Sequence, residues 1–79
     1  MKVFGYQKDS EHLIELQEVS FQSDIKELDK IIKFLQNVKE QHSKAIVEEE
    51  LCHSHFRDWD VEWKPGSADI IVVTTSNSK

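Results

Sequence analysis

A single cysteine, Cys52, stands in a chain of 79 residues, so no internal disulfide can form. A secreted domain this small would usually carry several. The N-terminal MKVFGYQ has no apolar leader core, and no stretch approaches the roughly 18 apolar residues of a membrane span. Together these absences predict a soluble, cytoplasmic protein. Basic charge is also scarce: 10 Lys and Arg face 15 Asp and Glu, for a net charge of −5. Nucleic-acid affinity rests largely on Lys and Arg neutralising phosphates, so a nucleic-acid partner is disfavoured. There is no Gly-rich phosphate loop, no nucleophile elbow, no repeat and no low-complexity linker.

Seventy-nine residues make one domain, taken as 1–79. A domain of this size buries only about 60% of its unfolded surface, so dimerisation or a tightly held partner would compensate for a small core. Charged residues make up 32% of the chain and are mixed in sign rather than blocky, which argues for a folded domain over disorder. Between Asp24 and Lys44, five lysines exceed four acids by one, so the rest of the chain carries −6. A negative field of that kind raises the encounter rate with a basic partner.

Lys2 to Gln7 reads as a short strand with Phe4 and Tyr6 on one face, and Lys8-Asp9-Ser10 supplies turn formers. Glu11 to Gln22 is rich in β-formers, but its apolar parity changes between Leu16 and Val19. Either both faces are partly covered or a bulge near Gln17-Glu18 shifts the register; the bulge is the reading preferred here. A helix then starts at Ser23 or Asp24, with Glu27 placed to complete a capping box on Asp24. Ile25, Leu28, Ile31, Ile32, Leu35 and Val38 form its apolar stripe. Asp29 with Lys33 and Glu40 with Lys44 are i,i+4 pairs on its exposed side. Glu48 to Glu50 would suit the negative end of the dipole badly, so the helix is expected to end near His42 to Lys44.

The segment Leu51 to Thr75 is the most distinctive. It holds both tryptophans, the cysteine, the proline and two of the four histidines. Leu51 to Trp63 reads as a long ribbon in which Asp58, Asp60 and Glu62 alternate with Trp59, Val61 and Trp63, so carboxylates and large apolar groups take opposite faces. Lys64-Pro65-Gly66-Ser67 predicts a type II turn, and Asp69 to Thr75 a strand covered on both faces or central in its sheet. The predicted fold is α+β with order β-β-α-β-β: a four-stranded antiparallel sheet with one helix packed on one face. The opposite face would be left open as a binding surface.

His53 and His55 share a face on a strand, and Cys52, His12, Asp58 and Asp60 could complete a metal shell. H-x-H alone is a weak signal, however, and Cys52 would point the other way. Cys52 beside His53 does not make a nucleophile and base either, since sequence neighbours on a strand face apart. No cofactor, metal or enzymatic activity is expected. Lys26, Lys30 and Lys33 are interleaved with Glu27 and Asp29 and read as a solvated helix face.

The binding residues expected from the pattern are His53, His55, Asp58, Trp59, Asp60, Glu62 and Trp63, because rigid aromatics rimmed by charge are what binding hot spots are made of. Alternative readings are a metal-binding or hydrolytic protein using His53, His55 and Asp58, and a homodimer whose sheets or edge strands pair.

Four motifs in order, L-x-E-V-S-F ending at Phe21, I-x-K-F-L ending at Leu35, H-S-H-F-R-D-W-D-x-E-W from His53 and P-G-S-A-D-I-I-V-V from Pro65, together give a resemblance over roughly residues 3–73. The chain resembles a family of small bacterial proteins catalogued as immunity proteins of polymorphic toxin systems, the family numbered thirty-two. The resemblance implies a cytoplasmic protein that binds and neutralises a cognate toxin, often a nuclease or other toxic enzyme. It carries over no contact residues; those come from the pattern above.

Overall fold

Asp24 opens the central helix. In the computed structural model, which describes residues 1–44 and 51–75, its side chain accepts the Glu27 N–H at 2.8 Å while the Glu27 carboxylate receives the Asp24 N–H at 3.4 Å. Both halves of the capping box are therefore made, and two of the helix's orphan donors are satisfied. Helix α1 runs Ile25–Ser43 with Lys44 as its C-cap, and Asp29–Lys33 and Glu40–Lys44 pair along its outside at 3.0 and 3.4 Å. The expected start, end and ion pairs of this element all agree with the structure. The question about Glu48 to Glu50 falls outside the described residues.

Before the helix, β1 (Val3–Tyr6) and β2 (Leu13–Leu16) form an antiparallel hairpin in which Val3 faces Leu16 and Tyr6 faces Leu13. The turn is made as its residues suggest, with Asp9 at φ 61° and the Ser10 N–H donating to the Gln7 carbonyl at 3.0 Å. Phe4 and Tyr6 share a face, and that face is exposed. No bulge follows. The strand simply ends at Leu16, where the apolar parity changes, and Gln17 to Asp24 leave the ladder.

After the helix, β3 (Leu51–His55) pairs antiparallel with β4 (Ile71–Thr75), with His55 opposite Ile71 and Cys52 opposite Thr74. Ser67 N–H donates to the Lys64 carbonyl at 3.0 Å and Gly66 sits at φ 95°, the conformation that a type II turn asks of glycine at that position. In β4, half-buried and exposed residues alternate, so this β-branched strand is covered on one face only and not on both.

The two hairpins form separate two-stranded sheets and not the single four-stranded sheet that the element order predicts. What decides this is where α1 makes its contacts. It packs on β3 and on a short helix α2 (Phe56–Trp59), while the first hairpin makes at most marginal contact with any other element. That hairpin has four-residue strands, and its apolar residues Phe4, Tyr6, Leu13 and Ile14 stay exposed and do not pack on the second hairpin or on α1.

The long ribbon expected from Leu51 to Trp63 is likewise cut short at His55. The last ladder bond is Phe56 N–H to the Ile70 carbonyl at 2.7 Å. The next donor, Arg57 N–H, is taken by the Asp69 carboxylate at 2.8 Å, and Asp60 N–H closes the helical turn onto the Phe56 carbonyl at 2.9 Å. The reason is aromatic packing. On a strand, Phe56 and Trp59 would face apart; three residues apart on a helical turn, they face together. Their rings meet Phe34 of α1 with centroids at 5.3 and 5.8 Å. Val61, expected on the apolar face, is 98% exposed.

The core is correspondingly small. Phe34 and Val38, at 1% and 3% exposure, are the buried hydrophobic residues among those described, and Ile31 is half-buried beside them. The rest of the predicted helix stripe, Ile25, Leu28, Ile32 and Leu35, is exposed.

Candidate functional site

The residues that approach α1 from the second hairpin do so through two polar clips. At the C-terminal end of α1, His42 uses both ring nitrogens: Nδ1 lies 2.8 Å from Thr74 Oγ1 and Nε2 2.9 Å from Ser54 Oγ. Ser54 and Thr74 are on the inner face of the two strands, so one side chain ties both to the helix. At the other end, Lys30 Nζ sits 3.3 Å from Asp60 Oδ1 and hydrogen-bonds Glu62 as well. Asp60 Oδ1 also accepts the Glu62 N–H at 3.1 Å, which fixes the chain direction after α2.

Beside the Lys30 clip, at the N-terminal end of α1, lies an open cleft of about 840 Å³. Its walls are the Ser20–Ser23 approach to the helix, the first turns of α1, and the segments around Asp60–Lys64 and Ser67–Ile70. Phe21, Ile31, Phe56 and Trp63 give it an apolar floor, and the indole is pinned by its Nε1–H donating to the Ala68 carbonyl at 3.0 Å. Of the charged residues lining it, Glu27, Asp60, Glu62 and Asp69 outnumber Lys30 and Lys64. The lining is net acidic.

The electrostatics follow from these contacts. The hydrogen bond from Lys30, then its charge and that of Lys26, hold the Glu62 carboxyl below the usual carboxylate range. The same bond raises the Lys30 ammonium, against a smaller opposing effect of burial and with Asp60 helping. For Asp69, burial pushes the carboxyl up most strongly as a single influence. Its hydrogen bonds from His55 and from the Arg57 and Ile70 N–H groups together outweigh that and leave it lowered.

Of the residues expected from sequence, Asp60, Glu62 and Trp63 come together at this cleft. Trp59 does not. It lies against Phe34, half-buried, as part of the core. Asp58 is exposed on α2 beside Arg57, at 3.7 Å. His53 and His55 do share a face, with ring centroids 5.7 Å apart, on the outer side of the second hairpin with Ile71 and Val73. His55 Nδ1 is held 2.8 Å from Asp69 Oδ2. Asp58 is not brought to this pair, and no group of three metal-ligating side chains occurs among the described residues.

Sequence reasoning read Lys30 as part of a solvated helix face, whereas its half-buried ammonium clips Asp60 and Glu62, and it passed over His42, Phe56 and Asp69. A signal existed for Phe34, which follows Lys30 and precedes Val38 at four-residue spacing on one side of the helix. None existed for His42 or Asp69, whose side-chain partners lie 12 to 32 residues away.

Searches against protein-family models, curated proteins and solved structures find no match to this chain. No helix among the described residues is long and apolar enough to cross a membrane.

Proposed function

We propose that this protein acts by stoichiometric binding of a basic protein partner, in the manner of an immunity protein that neutralises a cognate toxin in the cytoplasm. The observation that carries this reading is the cleft beside Asp60, Glu62 and Trp63: an apolar, aromatic floor within a rim where carboxylates outnumber amines. A partner's apolar anchor would be desolvated on that floor while its Lys or Arg shares Glu62 with Lys30. Such geometry suits binding hot spots, which combine a buried aromatic contact with a charged rim. Occluding a toxin requires no chemistry from the inhibitor. Asp58 extends the acidic surface beyond the cleft, whereas His53, His55, Ile71 and Val73 belong to a separate outer face.

The experiment is capture with the tagged full-length chain, elution in high salt, and assay of the captured protein with and without an equal amount of the chain. The expected result is one basic protein whose activity is abolished at a 1:1 ratio. With that partner, Glu62→Gln combined with Asp58→Asn lowers the association rate and flattens its salt dependence, leaving dissociation little changed. Association that is unaltered in rate and salt dependence would overturn the electrostatic part, and a captured protein whose activity is undiminished would overturn neutralisation.

A further inference from the structure

The outer face of the second hairpin brings two imidazoles side by side and fixes one of them from behind. His53 and His55 are two residues apart on β3, so their rings leave the same face, with centroids 5.7 Å apart. Their cross-strand neighbours there, Val73 and Ile71, have no donor atoms in their side chains. His53 is exposed and His55 half-buried, so both rings are reached from solvent.

Asp69 sets the second ring. Its Oδ2 lies 2.8 Å from His55 Nδ1, so in the neutral imidazole Nδ1 carries the proton and Nε2 keeps its lone pair. The other carboxylate oxygen accepts the N–H groups of Arg57 at 2.8 Å and Ile70 at 2.9 Å, which fix Asp69 in turn. A carboxylate hydrogen-bonded behind a histidine is the arrangement that orients metal-ligating imidazoles and raises their basicity.

We propose that His53 and His55 hold one divalent transition-metal ion of the zinc, nickel or copper kind, with Asp69 as the positioning residue and water in the remaining places. Two imidazole nitrogens at about 2.0–2.1 Å from one tetrahedral ion put the ring centroids about 5 Å apart. A small rotation of the exposed His53 ring reaches that from 5.7 Å. Imidazole nitrogen selects such ions over magnesium and calcium, which take oxygen ligands. The sequence pattern offered Asp58 as the third member of this group. In the fold Asp58 stands beside Arg57, and the carboxylate that reaches the pair is Asp69, bonded to the ring and not offered to the ion. His53 and His55 lie outside the lining of the cleft proposed for the basic partner, so the two readings are tested separately.

Calorimetric titration of the full, untagged chain with Zn²⁺ and with Ni²⁺ tests this, with Mg²⁺ and Ca²⁺ as controls. The expected result is one ion per chain for the first two and no binding of the controls. Asp69→Asn weakens zinc about tenfold, and loss of a ligand in His53→Ala weakens it further. Because His53 is exposed, His53→Ala keeps the circular dichroism of the parent, and His12→Ala, on the other hairpin, leaves binding unchanged. In ¹⁵N spectra of the histidine rings, zinc shifts Nε2 of His55 while Nδ1 retains its proton. Absence of binding by both ions overturns the proposal. Binding that survives His53→Ala, or that His12→Ala abolishes, overturns it too, and one ion per two chains overturns a site made by a single chain. Zinc at Nδ1 of His55, or undiminished binding by Asp69→Asn, overturns the role given to Asp69.

Discussion

The second hairpin is tied to α1 by His42, by Lys30 and by two aromatic rings, whereas the first pairs only with itself. Both are antiparallel and of similar length, and both carry large apolar side chains. What separates them is whether those side chains meet anything. Phe56 and Trp59 come together on Phe34 because the chain gives up its strand for one helical turn, while Phe4, Tyr6, Leu13 and Ile14 stay exposed. Strand pairing alone does not stabilise a two-stranded hairpin in water; an apolar face against another element does.

That contrast can be broken most directly at Phe34. Phe34→Ala removes the ring both aromatics rest on and should cost about 3–5 kcal/mol in a denaturant titration. A loss near that expected for an exposed site would mean that the second hairpin is held in some other way. His42→Ala leaves the Ser54 and Thr74 hydroxyls, packed towards the helix, without their partner, and should cost about 1–3 kcal/mol. The effect should also appear as faster amide exchange in β3 and β4, with β1 and β2 unchanged.

Asp69 sharpens the same comparison through pH. Its carboxyl is lowered in the folded state, so it binds protons less readily there than in the unfolded chain. Its contribution to stability is thus present above the ordinary carboxylate pKa and is lost as pH falls through the lowered folded value. Asp69→Asn should flatten the acid limb of a stability-against-pH curve; an unaltered limb would remove Asp69 from the account. The smallest effect is expected in the first hairpin, where Phe4→Ser should change stability by no more than about 0.5 kcal/mol. A larger loss would show that this hairpin has a binding surface after all, such as a second copy of the chain.

The helix was legible in the sequence because its signals are local. Asp24 and Glu27 are three residues apart, the apolar repeat lies within five turns, and the i,i+4 ion pairs need no other element. The two tight turns were legible for the same reason: Asp9 and Gly66 stand where a positive φ is required. The alternation from Asp58 to Trp63 was misleading, since a period of two is only an expectation for an extended chain. Here Asp69, contributed from beyond the next turn, takes the Arg57 N–H out of the ladder.

The sequence by itself therefore determined helix α1 with its capping box, the two antiparallel hairpins and the acidic character of the segment around Asp60, but not helix α2. Only the tertiary structure decided that the hairpins remain two sheets, that Trp59 joins the core while Trp63 floors a cleft, and that half of the helix's apolar surface stays open. Local hydrogen bonds and side-chain periodicity are written in neighbouring residues. Which face of a helix is buried depends on which distant side chains reach it, and for α1 those are Phe56, Trp59, Asp60, Ser54 and Thr74.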